Sequence, residues 1–261
     1  MNALQIAASG MSAQQMRVDV VSNNLANMST TGYNARRADF ADLHYQQLAR
    51  PGSVSAQNGA MLPTGVQMGM GVRPAAVSVV VAQGPLVATG GDLDVAVEGS
   101  GYLEVTLPSG EAAYTRDGSL KRTGDGQIIT SDGYPVSPGI TIPADATSIS
   151  INPNGEIWAS FNGQVDPTQL GQLSLAGFSN EKGLEAMGSN LFLESPASGA
   201  PASGTAGMNG LGTLRQGYLE ESSVDAVREV TELIKAQRGY ELNAKVITAA
   251  DQMLSTTTQV R

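Results

Sequence analysis

The sequence contains no cysteine and a single histidine, His44. Disulfides, thiolate catalysis, iron–sulfur clusters and cysteine-ligated zinc are therefore excluded, as is a metal centre built from two or three histidines of one chain. No metal and no cofactor is expected. Charged residues make up only 15% and aromatic residues 5% of the 261 positions, where an ordinary globular domain carries about 25% charge. Basic residues are the scarcer sign: 15 Lys+Arg against 24 Asp+Glu give a net charge of −9. Such a balance is poorly suited to neutralising a phosphate backbone, so nucleic acid is not an expected partner. Long hydrophobic runs are missing as well. Val79-Val80-Val81-Ala82 falls far short of the roughly 20 residues of a spanning helix, so no direct membrane insertion is expected. The first basic residue is Arg17 and polar residues interrupt positions 1–10. No cleavable secretory leader is therefore expected, which leaves a cytoplasmic chain or one exported without a cleaved peptide.

What the sequence does contain is periodicity at both ends. Leu4, Met11, Val18 and Leu25 recur every seven residues, accompanied by Ala7, Gln14, Val21 and Met28, and Gln14 is the one polar member of the two rows. This is the spacing of a coiled-coil seam. Asn23, Asn24, Asn27 and Gly32 then crowd a helix-stopping segment, because Asn and Gly accept left-handed backbone. The spacing predicts a helix over 3–27. At the other end Ala226, Leu233, Tyr240, Ile247 and Leu254 repeat every seven, with a weaker second row of Val230, Gln237, Ala244 and Asp251. Ser222, Ser223 and Asp225 are candidate N-caps for that helix. Two ordinary amphipathic helices packed on one core would also account for both patterns.

Between the helices the period changes to two. Strands are predicted over 76–82, 93–97, 102–107, 127–130, 148–151, 156–161, 172–178 and 190–194. Asp117-Gly118, Asp125-Gly126, Asp132-Gly133, Asn154-Gly155 and Asn162-Gly163 read as hairpin turns requiring positive φ. The fold class is α+β: terminal helices pairing as a coiled coil, an extended arm and a central antiparallel β domain. The expected divisions are an N-terminal helical segment 1–33, an arm and linker 34–89, a β domain 90–195, a linker 196–215 and a C-terminal helical segment 216–261.

No catalytic constellation stands out. His44 lies in an alternating stretch, and Gly-x-Ser-x-Gly is absent. Asp92 and Asp94 lack a calcium-loop pattern. Asp117, Asp125 and Asp132 each precede glycine, which turn chemistry explains without an acid–base pair. Trp158 is assigned to the core. No catalytic residue is expected.

The terminal motifs carry a resemblance. Ser22-Asn23-Asn24-Leu25-Ala26-Asn27-Met28-Ser29-Thr30-Thr31-Gly32-Tyr33 closely resembles the basal-body rod signature of bacterial flagellar axial proteins. Gln216-Gly217-Tyr218-Leu219-Glu220-Glu221-Ser222-Ser223, followed by Gln237-Arg238-Gly239-Tyr240-Glu241-Leu242-Asn243, is similar to the C-terminal segment of rod and hook proteins. Asp94-Val95-Ala96-Val97-Glu98-Gly99-Ser100-Gly101-Tyr102 and Ala113-Tyr114-Thr115-Arg116-Asp117-Gly118-Ser119 match the family's β-domain motifs. Arg50, Pro51 and Gly52, then Leu62, Pro63, Gly65, Gly71 and Arg73, resemble the arm, over 46–73, of distal-rod members. Ser223 and Gly239 stand where relatives commonly have Asn and Ala.

The resemblance implies a non-enzymatic subunit of the periplasm-spanning rod. It would polymerise helically with itself into a hollow drive shaft that carries motor torque to the hook. Its partners would be proximal rod proteins, the hook protein, the P- and L-ring bushing and the flagellar type III export apparatus. Assembly contacts are expected at Leu4, Met11, Val18, Val21, Leu25, Leu233, Tyr240, Ile247 and Leu254. Isolated helices are marginal without a packed face, so both ends are expected to order only when neighbouring copies supply it. A proximal rod or hook sibling, or a periplasmic β enzyme acting on a polymer such as peptidoglycan, are the competing readings.

Overall fold

The heptad-spaced residues at the amino end form one unbroken helix, α1 (Asn2–Ala26), in a computed structural model that describes residues 2–49, 64–164 and 166–259. The chain divides into two units. The first takes residues 1–25, 36–78 and 226–261; the second takes 26–35 and 79–225.

In the first unit α1 is followed by β1 (Arg36–Asp42), β2 (Tyr45–Ala49), β3 (Val66–Gly69) and β4 (Val72–Val79), and the chain returns at its end as α2 (Ala226–Gln259). β1 pairs with β4, and β2 pairs antiparallel with β3. α1 buries Ala7, Ala13, Val21 and Asn24, and α2 buries Ala236 and Ala250. These small side chains let the helix backbones approach. Gly10 lies against Asn243, Gln14 against Gly239, and Asn24 Nδ2 donates to Glu229 Oε2 at 3.2 Å. Partners descend along α2 as they ascend along α1, so the two helices run antiparallel. The strands are fastened to α1: Val72 N donates to Ser9 Oγ at 3.3 Å, and the Arg17 guanidinium stands over the Phe40 ring at 5.6 Å.

The second unit is mostly β, with one 3-10 turn at Glu181–Gly183. Its strands are β5 (Leu86–Ala88), β6 (Val95–Glu98), β7 (Tyr102–Thr106), β8 (Ala112–Thr115), β9 (Lys121–Arg122), β10 (Ile128–Ile129), β11 (Ala146–Ile151), β12 (Glu156–Phe161) and β13 (Thr168–Gln172). They continue as β14 (Ser174–Gly177), β15 (Glu185–Gly188), β16 (Leu191–Leu193), β17 (Ala202–Thr205), β18 (Thr213–Gln216) and β19 (Tyr218–Glu220). The main sheet has the order β15-β16-β8-β7-β14-β17, and β11-β12-β13 form a second sheet. Period-two alternation gives the main sheet two apolar faces. Leu103, Val105, Leu175 and Leu191 enter the principal core with Val95, Val97, Ile128, Ile142 and Ile157. Tyr102, Tyr114 and Ala176 turn to the other face, where Phe178 packs edge-on against Tyr114 at 4.8 Å and Tyr102 at 6.0 Å.

The structure differs from the sequence reading in several places. Residues 196–215, expected as a linker, carry β17 and the start of β18. Their small residues have a packing reason: Leu211 presses so closely on Gly177 and Gly204 that a Cβ there would stand 2.8 and 3.1 Å from its methyls. The 34–89 segment holds five strands, β1 to β5. Gly126, Gly133, Gly155 and Gly163 have the positive φ expected of turns, but Gly118 does not. It is glycine because Val95 O occupies the space of a Cβ, and Val95 N donates to Gly118 O at 3.0 Å. Trp158, assigned to the core, is only half buried, its Nε1 donating to Glu156 Oε2 at 3.2 Å.

Candidate assembly interface

Asn24, from the asparagine-rich segment that ends α1, is fully buried. Its Oδ1 accepts from Arg36 N at 2.9 Å and its Nδ2 donates to Arg36 O at 2.8 Å. One amide side chain thus satisfies both backbone groups of the first residue of β1, as a neighbouring strand would. Asn27 O accepts from Thr30 N at 3.1 Å and closes the turn. Gly32, at φ 66°, donates its N–H to Glu220 O at 2.8 Å. Leu25 is half buried and Asn23 is exposed.

Of the expected contact positions, Val21 is buried, and Leu4, Met11, Val18, Leu25, Leu233 and Ile247 are half buried. Tyr240 and Leu254 stand exposed. The inward row of α2 is Glu229, Ala236, Asn243 and Ala250, each one residue before the second row expected from sequence.

Sequence reasoning named only Val230 of a further apolar surface. Val227, Val230 and Ile234, at i, i+3 and i+7, are exposed on the first half of α2, Val227 at 78% and Ile234 at 52%. Leu242, Val246 and Met253, at i, i+4 and i+11, are exposed on the second half, Leu242 at 62% and Met253 at 64%. The signal was present: apolar residues occupy more of the helix circumference than one stripe, which marks a helix covered on more than one side. Burial of each such side chain is worth about 1.5–3 kcal/mol.

The β2–β3 ribbon exposes Tyr45, Leu48, Val66 and Met68. A two-stranded ribbon is marginal in water without further packing. Of the arm residues, Arg50, Pro51, Gly52, Leu62 and Pro63 lie outside the described residues. Gly65 is half buried next to Thr64, Gly71 has φ 115° with Ser9 where a Cβ would stand, and Arg73 is exposed on β4.

Charge is divided between the units. The β unit holds 5 Lys+Arg and 17 Asp+Glu, a net −12, whereas the helical unit holds 10 and 7, a net +3. Inside the β unit one ion pair is buried, Arg116 with Glu220. Beside it, Arg116 lies over the Tyr102 ring at 5.7 Å. Burial, then the neighbouring Glu181 carboxylate, pushes the Tyr102 phenol far above its ordinary range. Burial raises the Tyr114 phenol as well. On α2, the hydrogen bond from Lys235 holds the Glu232 carboxyl below its ordinary value.

Among the described residues no group of three or more His, Asp or Glu could hold a metal ion. His44 is exposed in the link between β1 and β2. Asp94 accepts from Thr89 Oγ1 at 2.5 Å and Asp117 Oδ1 accepts from Ser119 N at 3.0 Å, both turn contacts. No described helix is long and apolar enough to cross a membrane.

Three family models match along the chain: "Flagella basal body rod protein" over residues 4–34, "Flagellar hook protein FlgE/F/G D1 domain" over 96–159 and "Flagellar basal body rod FlgEFG protein C-terminal" over 215–260. The chain is similar to a protein of Caulobacter vibrioides named flagellar basal-body rod protein FlgG, 52% identical over 100% of both chains. Relatives of the same name occur in Agrobacterium fabrum, 48% identical over 98% of this chain and 97% of the other, and in Bacillus subtilis, 36% identical over 97% of each.

Proposed function

The chain belongs to the family of flagellar basal-body rod proteins, and from that membership we propose how its surfaces build the shaft. It is a structural subunit of the distal rod in the flagellar basal body, not an enzyme, and it self-assembles with other flagellar components.

The terminal helices pair as a coiled coil around the central export channel, with contacts at Leu4, Met11, Val18, Val21, Leu25, Leu233, Tyr240, Ile247 and Leu254. Neighbouring copies cover Val227, Val230 and Ile234 on one half of α2 and Leu242, Val246 and Met253 on the other. The arm over 46–73, including the exposed β2–β3 ribbon, lies against adjacent copies and stiffens the shaft. The acidic β unit meets the P- and L-ring bushing, and the ends of the polymer meet the proximal rod and the hook. A chain threaded unfolded through the type III apparatus folds its terminal helices as it assembles. The observation that carries this reading is the exposure of large apolar side chains along both halves of α2, a surface that water does not favour and head-to-tail stacking would bury. Deleting residues 1–20 tests it. The expected result is a folded β unit that no longer sediments as a polymer; assembly of the truncated chain would overturn it.

A further inference from the structure

Gln14 is the single polar residue in the two heptad rows of α1, and its Oε1 is buried without a hydrogen-bond partner. It lies directly opposite Gly239, where an added Cβ would stand 3.0 Å from Gln14 Cδ and 3.2 Å from Cγ. One helical turn away the arrangement repeats with the helices exchanged. Gly10 on α1 faces Asn243 on α2, and a Cβ on Gly10 would stand 2.9 Å from Asn243 Nδ2. Each helix therefore contributes one glycine and, four residues later, one carboxamide: Gly10 and Gln14 on α1, Gly239 and Asn243 on α2. An antiparallel pair places each carboxamide in the notch left by the other helix's glycine, related by a local two-fold axis.

We propose that these four residues form a reciprocal lock that fixes the direction and register of the α1–α2 pair. It rests on the helix pairing proposed above and names the residues that specify it. The seven-residue spacing of the inward row of α2, which includes Ala236 and Ala250, is by itself compatible with a slip of one heptad. Such a slip would set Gln14 against Glu232 or Val246 and close the notch. A polar residue at one seam position is a known means of setting register at a cost in stability, and the unpaired Gln14 Oε1 is that cost. Glycine inside a helix is otherwise unfavourable relative to alanine, so Gly239 needs a reason of this kind.

The test is a double-mutant cycle on the full-length chain, read as the critical concentration for assembly by sedimentation. Gly239→Ala is expected to raise it roughly tenfold, although alanine is the better helix former, because its methyl meets Gln14. In a Gln14→Ala background the same change is expected to be neutral or to lower it. Gly10→Ala is expected to behave in the same way with Asn243→Ala. A variant too weak to assemble alone is read by its incorporation onto wild-type seeds. Equal effects of Gly239→Ala in both backgrounds, equal exclusion from seeds included, overturn the lock. The 1–20 deletion separates the two failures. If the truncated chain assembles, the helix pairing itself is wrong; if it does not, yet the cycle is additive, only the lock is.

Discussion

The guanidinium Nε of Arg116 stands 2.9 Å from Glu220 Oε2, with the two side chains only 6% and 3% exposed. Further hydrogen bonds hold the pair in place. Arg116 Nη2 also donates to Gly99 O at 2.8 Å, Glu220 Oε1 accepts from Gly84 N at 2.9 Å, and Glu220 O accepts from Gly32 N. Residues far apart in sequence meet at one buried charge pair within the β unit.

Breaking such a pair leaves one buried charge uncompensated. Glu220→Gln or Arg116→Leu is therefore expected to destabilise the β unit by about 3–5 kcal/mol. The double change Arg116→Met/Glu220→Leu is expected to recover most of that loss. Chemical denaturation of the purified variants measures both; a double variant as unstable as the singles would contradict it.

Tyr102 supplies a pH dependence. Its folded-state phenol holds its proton more tightly than the unfolded chain does, because ionisation is disfavoured by burial and by Glu181. The resulting stability is fully present below the ordinary phenol value of 10.0. It falls as pH rises beyond that value, because the unfolded state releases its proton first. The β unit is expected to lose stability steeply above about pH 10, and Tyr102→Phe to flatten that slope while losing the 3.2 Å hydrogen bond to Glu181. Alkaline denaturation followed by circular dichroism reads it.

The exposed faces of α2 separate assembly from folding. Ile234→Glu and Leu242→Glu replace residues that water already reaches. Each is expected to change monomer stability by no more than about 0.5 kcal/mol and to abolish sedimentable polymer. Unimpaired polymer from both variants would show that neither face is covered.

Much of this architecture was legible in the sequence, and the losses have physical causes. Heptad spacing and the asparagine-rich stop place α1 within a residue at each end, Asn2–Ala26 against 3–27. The hydrophobic alternation of Tyr102–Thr106 and Glu156–Phe161 marks β7 and β12. β17 went unseen because its Ala-Ser-Gly-Thr sequence shows no apolar alternation; packing beneath Leu211, a tertiary demand, keeps it small. Arg116 and Glu220 lie inside family-like motifs, yet nothing in their separation of 104 positions reveals an ion pair. A single seven-residue stripe does not mark the second face of α2, because that helix has apolar residues on several sides.

The net −12 of the β unit should make polymerisation salt-dependent. Stacked copies bring like charges together, and added salt shortens their reach from about 30 Å at 0.01 M to about 8 Å at 0.15 M. The critical concentration is expected to fall several-fold over that range; a rise would mean that opposite charges dominate the contacts.

The most direct measurement is hydrogen exchange by mass spectrometry on the same full-length protein, dilute and assembled. Folding coupled to assembly predicts rapid exchange over residues 2–25 and 226–256 in the dilute protein and strong protection in the polymer, with residues 95–107 of the β core protected in both. Equal protection of the two helices in both states would contradict it, and would mean that α1 and α2 are stable without neighbours.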